Sequence, residues 1–269
     1  MQRLFNFYLK SSFHVSLAVV ALQLISYYQF DMAIDQKVLL FGFSSSIVGN
    51  NYAKFSPFLK HKNLATDIKI IILVSILMGG VAVFEFFQFN TNSKLALLLI
   101  ALLTFIYQSP SSKWINLRNI PGLKAYIVAI CWTIVTLILP LLETEIHFDT
   151  ILLIRITQRF LFVFSLILVF DIIDLKEDRK SLHTLPQTIG VKKTKRVVYA
   201  MLISLSLLEL YFPLEPTIFG IYLLIKLVTF GFTYFADEKK SKYYTTFWVE
   251  SIPILWAFLL YLYPYISIS

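Results

Sequence analysis

The sequence has few charged residues. Asp, Glu, Lys and Arg make up 15% of its 269 residues, and hydrophobic residues make up 58%. Because soluble domains carry about 25% charged residues, this chain has too little polar surface to cover a soluble globule of its size. Its apolar residues also occur in long blocks instead of at amphipathic spacing. The two features together exclude a soluble domain and predict an integral membrane protein.

Cysteine and the common catalytic motifs are scarce as well. Cys131 is the only cysteine, so the chain cannot form an intramolecular disulfide and says nothing about an oxidising compartment. The sequence has no glycine-rich phosphate loop, no nucleophile elbow and no redox motif. A transporter would be expected to have paired broken helices in two matching halves, whereas the prolines and glycines here are scattered. Any chemistry must therefore be sought in the charged segments between the apolar blocks.

The apolar blocks are close to the length that a helix needs to cross a bilayer, which is about 20 residues. We predict an all-α, polytopic membrane protein of about nine transmembrane helices around a central cavity, in a single domain over residues 1–269. Eight or ten spans remain possible, because the second and fourth blocks are short and polar. The predicted spans are Phe13–Phe30, Val38–Ala53, Ile68–Phe87, Leu95–Gln108, Leu123–Leu142, Ile151–Phe170, Val197–Phe212, Thr217–Phe235 and Phe247–Tyr265.

The basic residues are distributed unevenly between the connections. The formal net charge is +8, and most of the 24 Lys and Arg residues fall in every second connection along the chain. Cytoplasmic loops of membrane proteins are enriched in Lys and Arg. We therefore expect a cytoplasmic N-terminus, an outside C-terminus and a location in the cytoplasmic membrane. The charge indicates contact with a lipid bilayer and no nucleic-acid partner, and nothing in the sequence points to a protein partner.

The most informative segment is Phe170–Gly190, FDIIDLKEDRKSLHTLPQTIG, which begins at the end of the sixth predicted span. Its three aspartates are spaced i, i+3, i+7 and fall on one helix face: Asp171, Asp174 and Asp178. Such carboxylates repel one another unless a cation lies between them, and carboxylates with water and substrate phosphate are the usual ligands of Mg²⁺. Neighbouring basic residues could contact a diphosphate: Lys176, Arg179 and Lys180. The alternative is a solvated helix end in a charged loop. We expect Pro186 to end the helix or turn the chain, and Gly190 to permit another turn.

This segment resembles the second aspartate-rich motif of the UbiA superfamily of intramembrane prenyltransferases. The resemblance lies in the aspartate spacing, the following Thr-Leu-Pro and the glycine. A second segment, Leu117–Trp132, resembles the loop and fifth helix of that family, in which Arg118 and Lys124 match recurring basic positions. The resemblance also extends to the nine predicted helices, with the motif in the loop after the sixth.

The resemblance implies a concrete activity. Members of the family bind an isoprenyl diphosphate through Mg²⁺ held between two aspartate-rich loops, and transfer the isoprenyl group to a lipophilic acceptor, such as an aromatic or quinone-precursor compound. Diphosphate departs, an allylic carbocation forms, and the acceptor attacks it. Metal ions and basic residues would stabilise the charge of the leaving group. The implied partners are thus an isoprenyl diphosphate, a lipophilic acceptor and Mg²⁺, with Lys54, Arg118 and Lys124 as candidate catalytic residues.

The first aspartate-rich motif of the family is replaced in this chain. The segment after the second predicted span is Gly49–Phe58, GNNYAKFSPF, which contains no aspartate. Three interpretations stay open. Asn50, Asn51 and Lys54 could contact the diphosphate directly, with Lys54 replacing the charge of one metal ion. The protein could be a degenerate member that binds isoprenoid lipid without turnover, or it could belong to a divergent subgroup with another substrate.

Three further basic residues lie within apolar stretches. Lys226 is near the middle of the eighth predicted span, and burial of an ionisable group in a membrane is expensive enough to suggest a function. The alternatives are that Lys226 snorkels to the surface or pairs with Glu250. Arg155 and Arg159 are one turn apart at the start of the sixth span, where we expect them to anchor the helix at the lipid headgroups.

Overall fold

The computed structural model describes residues 2–55, 64–108, 122–144, 149–176, 183–212 and 214–266. The residues in these ranges form helices joined by short turns and contain no strand, which confirms the predicted all-α fold. The α-helices are α1 (Gln2–Lys10), α2 (Phe13–Gln29), α3 (Gln36–Phe55), α4 (Thr66–Gln88), α5 (Thr91–Gln108), α6 (Leu123–Thr133), α7 (Leu139–Leu142), α8 (Thr150–Ile173), α9 (Leu185–Ile189), α10 (Val191–Glu209), α11 (Pro216–Phe235) and α12 (Ser251–Ile266).

The helices coincide with the predicted spans. The fifth span corresponds to α6 and α7, which a π-helical turn at Ile134–Ile138 joins into one rod, and a second π-helical turn, Tyr244–Val249, precedes α12. Within the described ranges, five helical rods are long and apolar enough to cross a membrane, or six if α1 and α2 count as one bent span. The weak second and fourth blocks, now α3 and α5, are not among these. A polytopic helical membrane protein is thus confirmed, while the number nine stays a prediction.

Helix α8 lies at the centre of the bundle. About 67% of its apolar window is buried, compared with 17% for α4. The main hydrophobic core forms where α8 packs with α6, α10, α11 and α12, around buried residues such as Phe162, Leu168 and Ile172. Because α4 keeps side chains such as Leu73 and Phe84 on the outside, its apolar surface is suited to contact with lipid. The sequence therefore places its central helix directly before the aspartate-rich segment.

The π-helical turn joins α6 to α7 and is hydrogen-bonded to side chains of α2. Pro140 has no backbone N–H, so the carbonyl of Thr136, four residues earlier, lacks the donor that an α-helix would otherwise supply. Side chains of α2 donate to this turn: Gln23 Nε2 donates to Val135 O at 3.1 Å, and Ser26 Oγ donates to Thr136 O at 2.6 Å. A buried carbonyl without a partner would be costly, so the bond from Ser26 offsets the donor that Pro140 lacks.

Helices α2 and α3 approach closely at Gly42. The buried Gln23 side chain also donates to Val38 O, at 3.0 Å, which holds its amide group against α3. A Cβ atom built on Gly42 would come within 2.3 Å of Gln23 Nε2. Only a glycine therefore fits at this position while Gln23 keeps its hydrogen bonds.

We expect Gly42→Ala to lower the stability of the detergent-solubilised protein by about 1–3 kcal/mol, the usual cost of overpacking a well-packed core. The measurement is the midpoint of thermal unfolding. Gly220→Ala is the matched control, because it is also a helical glycine and a Cβ there would meet nothing within 4 Å. Equal unfolding midpoints for the two variants would contradict the close approach.

Candidate functional site

The second aspartate-rich segment begins where the central helix ends. Helix α8 ends at Ile173 and is followed by a 3₁₀ turn over Asp174–Lys176. Asp171 is in the last turn of α8 and is only 1% exposed, while Asp174 is half-buried one turn later. The other predicted members of this group, Asp178, Arg179 and Lys180, lie outside the described residues, as does Arg118.

Asp171 forms an ion pair with Lys124. The Lys124 Nζ atom lies 3.3 Å from Asp171 Oδ1 and comes from the first turn of α6. Helix α6 starts at Gly122, whose positive φ of 72° is accessible to glycine at little cost. The Gly122 N–H donates to His183 O at 2.9 Å, which ties the start of α6 to the segment after the aspartates. Two residues that the sequence assigned to separate motifs thus face each other.

The chain turns directly after this site. Pro186 lies in the first turn of α9 and begins a helix instead of ending one, since a residue in that position has no intrahelical N–H bond to lose. The Thr184 N–H donates to Gln187 Oε1 at 3.0 Å, which starts this helix. Gly190, with φ of 83°, makes the turn into α10 as expected. Lys176 points away from the aspartates to Glu238, with 3.4 Å between Nζ and Oε1.

The segment that replaces the first aspartate-rich motif ends α3. Asn51 is 3% exposed and is held by three hydrogen bonds. Its Oδ1 accepts from Ser12 Oγ at 2.7 Å, and its Nδ2 donates to Ser11 O at 3.1 Å and Ser75 Oγ at 2.9 Å. Ser12 lies in the left-handed region, with φ of 65°, at the 58° bend between α1 and α2. Asn51 therefore fixes this bend and joins it to α4.

Lys54 reaches the same bend. Its Nζ donates to Ser12 Oγ at 2.9 Å. Asn50 is different, because its Nδ2 bonds Ser46 of its own helix, at 2.9 Å to the carbonyl oxygen.

The predicted site residues thus form two groups by their contacts, Asn51 with Lys54 and Lys124 with Asp171. Ser12 and Ser75 could not have been selected from the sequence, because serine in an apolar helix carries no distinctive signal.

The buried basic residues differ from expectation. Arg155 and Arg159 are 7% and 4% exposed, so they lie inside the bundle and the prediction that they anchor α8 at the headgroups was wrong. Lys226 pairs with Glu209 of α10, whereas the sequence suggested Glu250 as one alternative partner. The three residues lie near the end of the bundle opposite to Asp171, since twelve residues of helix separate Arg159 from Asp171, about 18 Å.

The carboxylates at the end of α8 fit a metal ion that receives most of its ligands from a substrate phosphate. The described residues contain no group of three His, Cys, Asp or Glu side chains able to hold a metal ion alone. Mg²⁺, however, is often held by one or two carboxylates together with substrate phosphates. Asp171 and Asp174 provide two carboxylates within one turn, and Lys124 supplies positive charge beside them. The arrangement suits a site that binds metal and phosphate together.

Two solved structures share this arrangement of helices. One is a UbiA homologue from Archaeoglobus fulgidus bound to Cd²⁺, with 12% identity, a TM-score of 0.61, and coverage of 94% of this chain and 98% of that one. This chain has the UbiA fold. The other, a structure of digeranylgeranylglyceryl phosphate synthase in membranes, has 12% identity, a TM-score of 0.55, and coverage of 97% of this chain and 98% of that one. No protein-family model and no curated protein matches the sequence.

We expect Asn51→Ala to destabilise the protein by about 1–3 kcal/mol, because Ser12, Ser11 and Ser75 would lose a buried partner. The adjacent Asn50→Ala is the matched control and should be nearly neutral, since the bonds of Asn50 within the described ranges go to Ser46 of its own helix. Unfolding midpoints in detergent measure both changes. The structural role of Asn51 is refuted if the two variants lose the same stability.

Proposed function

We propose that the protein is a membrane prenyltransferase, which transfers an isoprenyl group from an isoprenyl diphosphate to a lipophilic acceptor. The observation that carries the proposal is the buried Asp171, paired with Lys124 where α8 ends and α6 begins. Burying a carboxylate is costly unless it is paired or binds a cation. The likeness of the fold to the UbiA homologue supports the same reading.

The residues at this end of α8 would have separate roles in binding the metal ion and the diphosphate. Asp171 and Asp174 would hold Mg²⁺, with Asp178 extending the set, and the bound ion would neutralise charge on the departing diphosphate. Lys124 is placed to contact a diphosphate oxygen near Asp171, and Arg118, Arg179 and Lys180 would add basic groups around it. Lys176 can join them only by leaving Glu238. The isoprenyl chain and the acceptor would occupy apolar parts of the bundle, where water is excluded.

A second candidate function follows from the Asn51–Lys54 group. Asn51 makes three structural hydrogen bonds, and Lys54 is bonded at the α1–α2 bend. The contacts of this segment are therefore those of a structural element. In a catalytic member of the family, the same segment would hold the first aspartate-rich motif and bind metal. The alternative function is a catalytically degenerate protein that binds isoprenoid lipid without turnover.

Diphosphate release distinguishes the two candidates. Purified protein is incubated with Mg²⁺, allylic isoprenyl diphosphates of several chain lengths and a panel of lipophilic acceptors, and released diphosphate is measured. We expect release that EDTA abolishes and that Asp171→Asn reduces by about tenfold or more, because the substitution removes a ligand charge. Asp31→Asn is the matched control, since Asp31 is exposed in the α2–α3 turn and its φ of 49° suits asparagine.

Each outcome of this experiment is decisive. The protein must first be shown to unfold cooperatively, which indicates that it is folded. If it then releases no diphosphate with any chain length or acceptor, the proposal that it is an enzyme is rejected. If the same protein still bound the isoprenyl diphosphates, and Asp171→Asn weakened that binding, the lipid-binding alternative would be supported. Equal release from the Asp171→Asn and Asp31→Asn variants would remove Asp171 from the site.

We further propose that the N-terminus and the end of the bundle with Asp171 face the cytoplasm, and that the C-terminus lies outside in the cytoplasmic membrane. Single cysteines in a Cys131→Ser background test this orientation. A membrane-impermeant maleimide should label Ala33→Cys on intact cells, and Lys239→Cys only after permeabilisation. Both positions are exposed in turns. The reverse pattern of labelling would invert the proposed topology.

A further inference from the structure

A buried polar cavity lies at the end of the bundle opposite to Asp171. Side chains from α2, α8, α10, α11 and α12 line it, and the polar ones include Arg155, Gln158, Arg159, Glu209 and Lys226. All five are less than 10% exposed. Burial of so many ionisable groups in a membrane helix bundle is expensive. The proposed prenyl transfer uses none of them.

The charges around this cavity do not balance within the part of the chain that the structure describes. Glu209 is the single carboxylate in the lining, and it pairs with Lys226. Arg159 donates to neutral acceptors, at 2.7 Å to Leu22 O and 3.0 Å to Thr136 Oγ1. Arg155 donates to Gln158 Oε1 at 3.1 Å and lies 3.7 Å from the centroid of the Phe212 ring. Two positive charges therefore face the cavity with neutral partners.

Two further donors border the cavity. Gln158 Nε2 and Trp256 Nε1 are buried and have no hydrogen-bond partner among the described residues. Both residues line the cavity and are 7% exposed. A buried donor without a partner costs about 1–3 kcal/mol. Since the unsatisfied groups are N–H donors and the excess charge is positive, the complementary ligand is an acceptor with negative charge.

The size of the cavity restricts this ligand. The cavity measures about 20 Å³, which is room for one water molecule or an ion of similar size. A phosphate, a carboxylate or a lipid headgroup is too large. We propose that the cavity binds a single monatomic anion, of which chloride is the common one. The anion accepts from Gln158 and Trp256, and its charge offsets those of Arg155 and Arg159.

Bromide replaces chloride in the test because its anomalous scattering identifies it. Crystals grown in sodium bromide should show one anomalous peak in the cavity between Gln158 and Trp256. In detergent, the unfolding midpoint should rise saturably when bromide or chloride replaces gluconate at constant ionic strength, since gluconate cannot enter. Trp256→Phe should weaken the apparent bromide affinity by about tenfold, because it removes one donor to a charged ligand.

Trp248→Phe is the matched control, because Trp248 is 55% exposed and does not line the cavity. It should leave the bromide affinity unchanged. Ordered density without an anomalous peak, with equal stability in bromide and gluconate, would assign the cavity to a water molecule and overturn the proposal. If Trp256→Phe fails to fold, the anomalous map of the unmodified protein decides alone. The bromide experiments do not test diphosphate release at the other end of the bundle, so the two proposals can fail independently.

Discussion

The structure depends on hydrogen bonds between polar groups that are buried in its apolar interior. At the centre of the bundle, two carbonyls close to Pro140, which itself has no backbone N–H, accept from side-chain donors. Gln23 and Ser26 of α2 supply those donors, and Arg159 of α8 bonds the Thr136 side chain in the same turn. These hydrogen bonds act together with van der Waals packing to hold α2, α6 and α8 in position.

Helix α8 carries polar chemistry at both ends and little in between. Arg155, Gln158 and Arg159 lie in its first half, Asp171 lies in its last turn, and the buried residues between them are mostly apolar. Within α8 itself, the arginines thus lie in the first half and the carboxylate in the last turn. The apolar stretch separates the proposed metal–diphosphate site from the proposed anion site. Because one helix carries both, each site is built on a rigid, central element of the fold.

Much of this arrangement could be predicted from the sequence. Apolar blocks such as Ile151–Phe170 determine a helix whatever surrounds them, and aspartates spaced i, i+3 share a face in any helix. Contacts between distant segments could not be predicted in the same way. The bond from Asn51 to Ser12 spans 39 residues, and the burial of Arg159 depends on neutral acceptors from α2 and the π-helical turn. Pro140 did offer a signal, since a proline in an apolar span implies freed carbonyls that must find other donors.

The proline also has an evolutionary consequence. A residue with an N–H at position 140 would compete with Ser26 of α2 for the carbonyl of Thr136, which Arg159 of α8 also approaches. Positions on three separate helices therefore form one coupled unit, in which the effects of single replacements are not additive. Sequences that drift apart in every lipid-facing residue are expected to inherit these few positions jointly, or to exchange all of them for an uninterrupted helix.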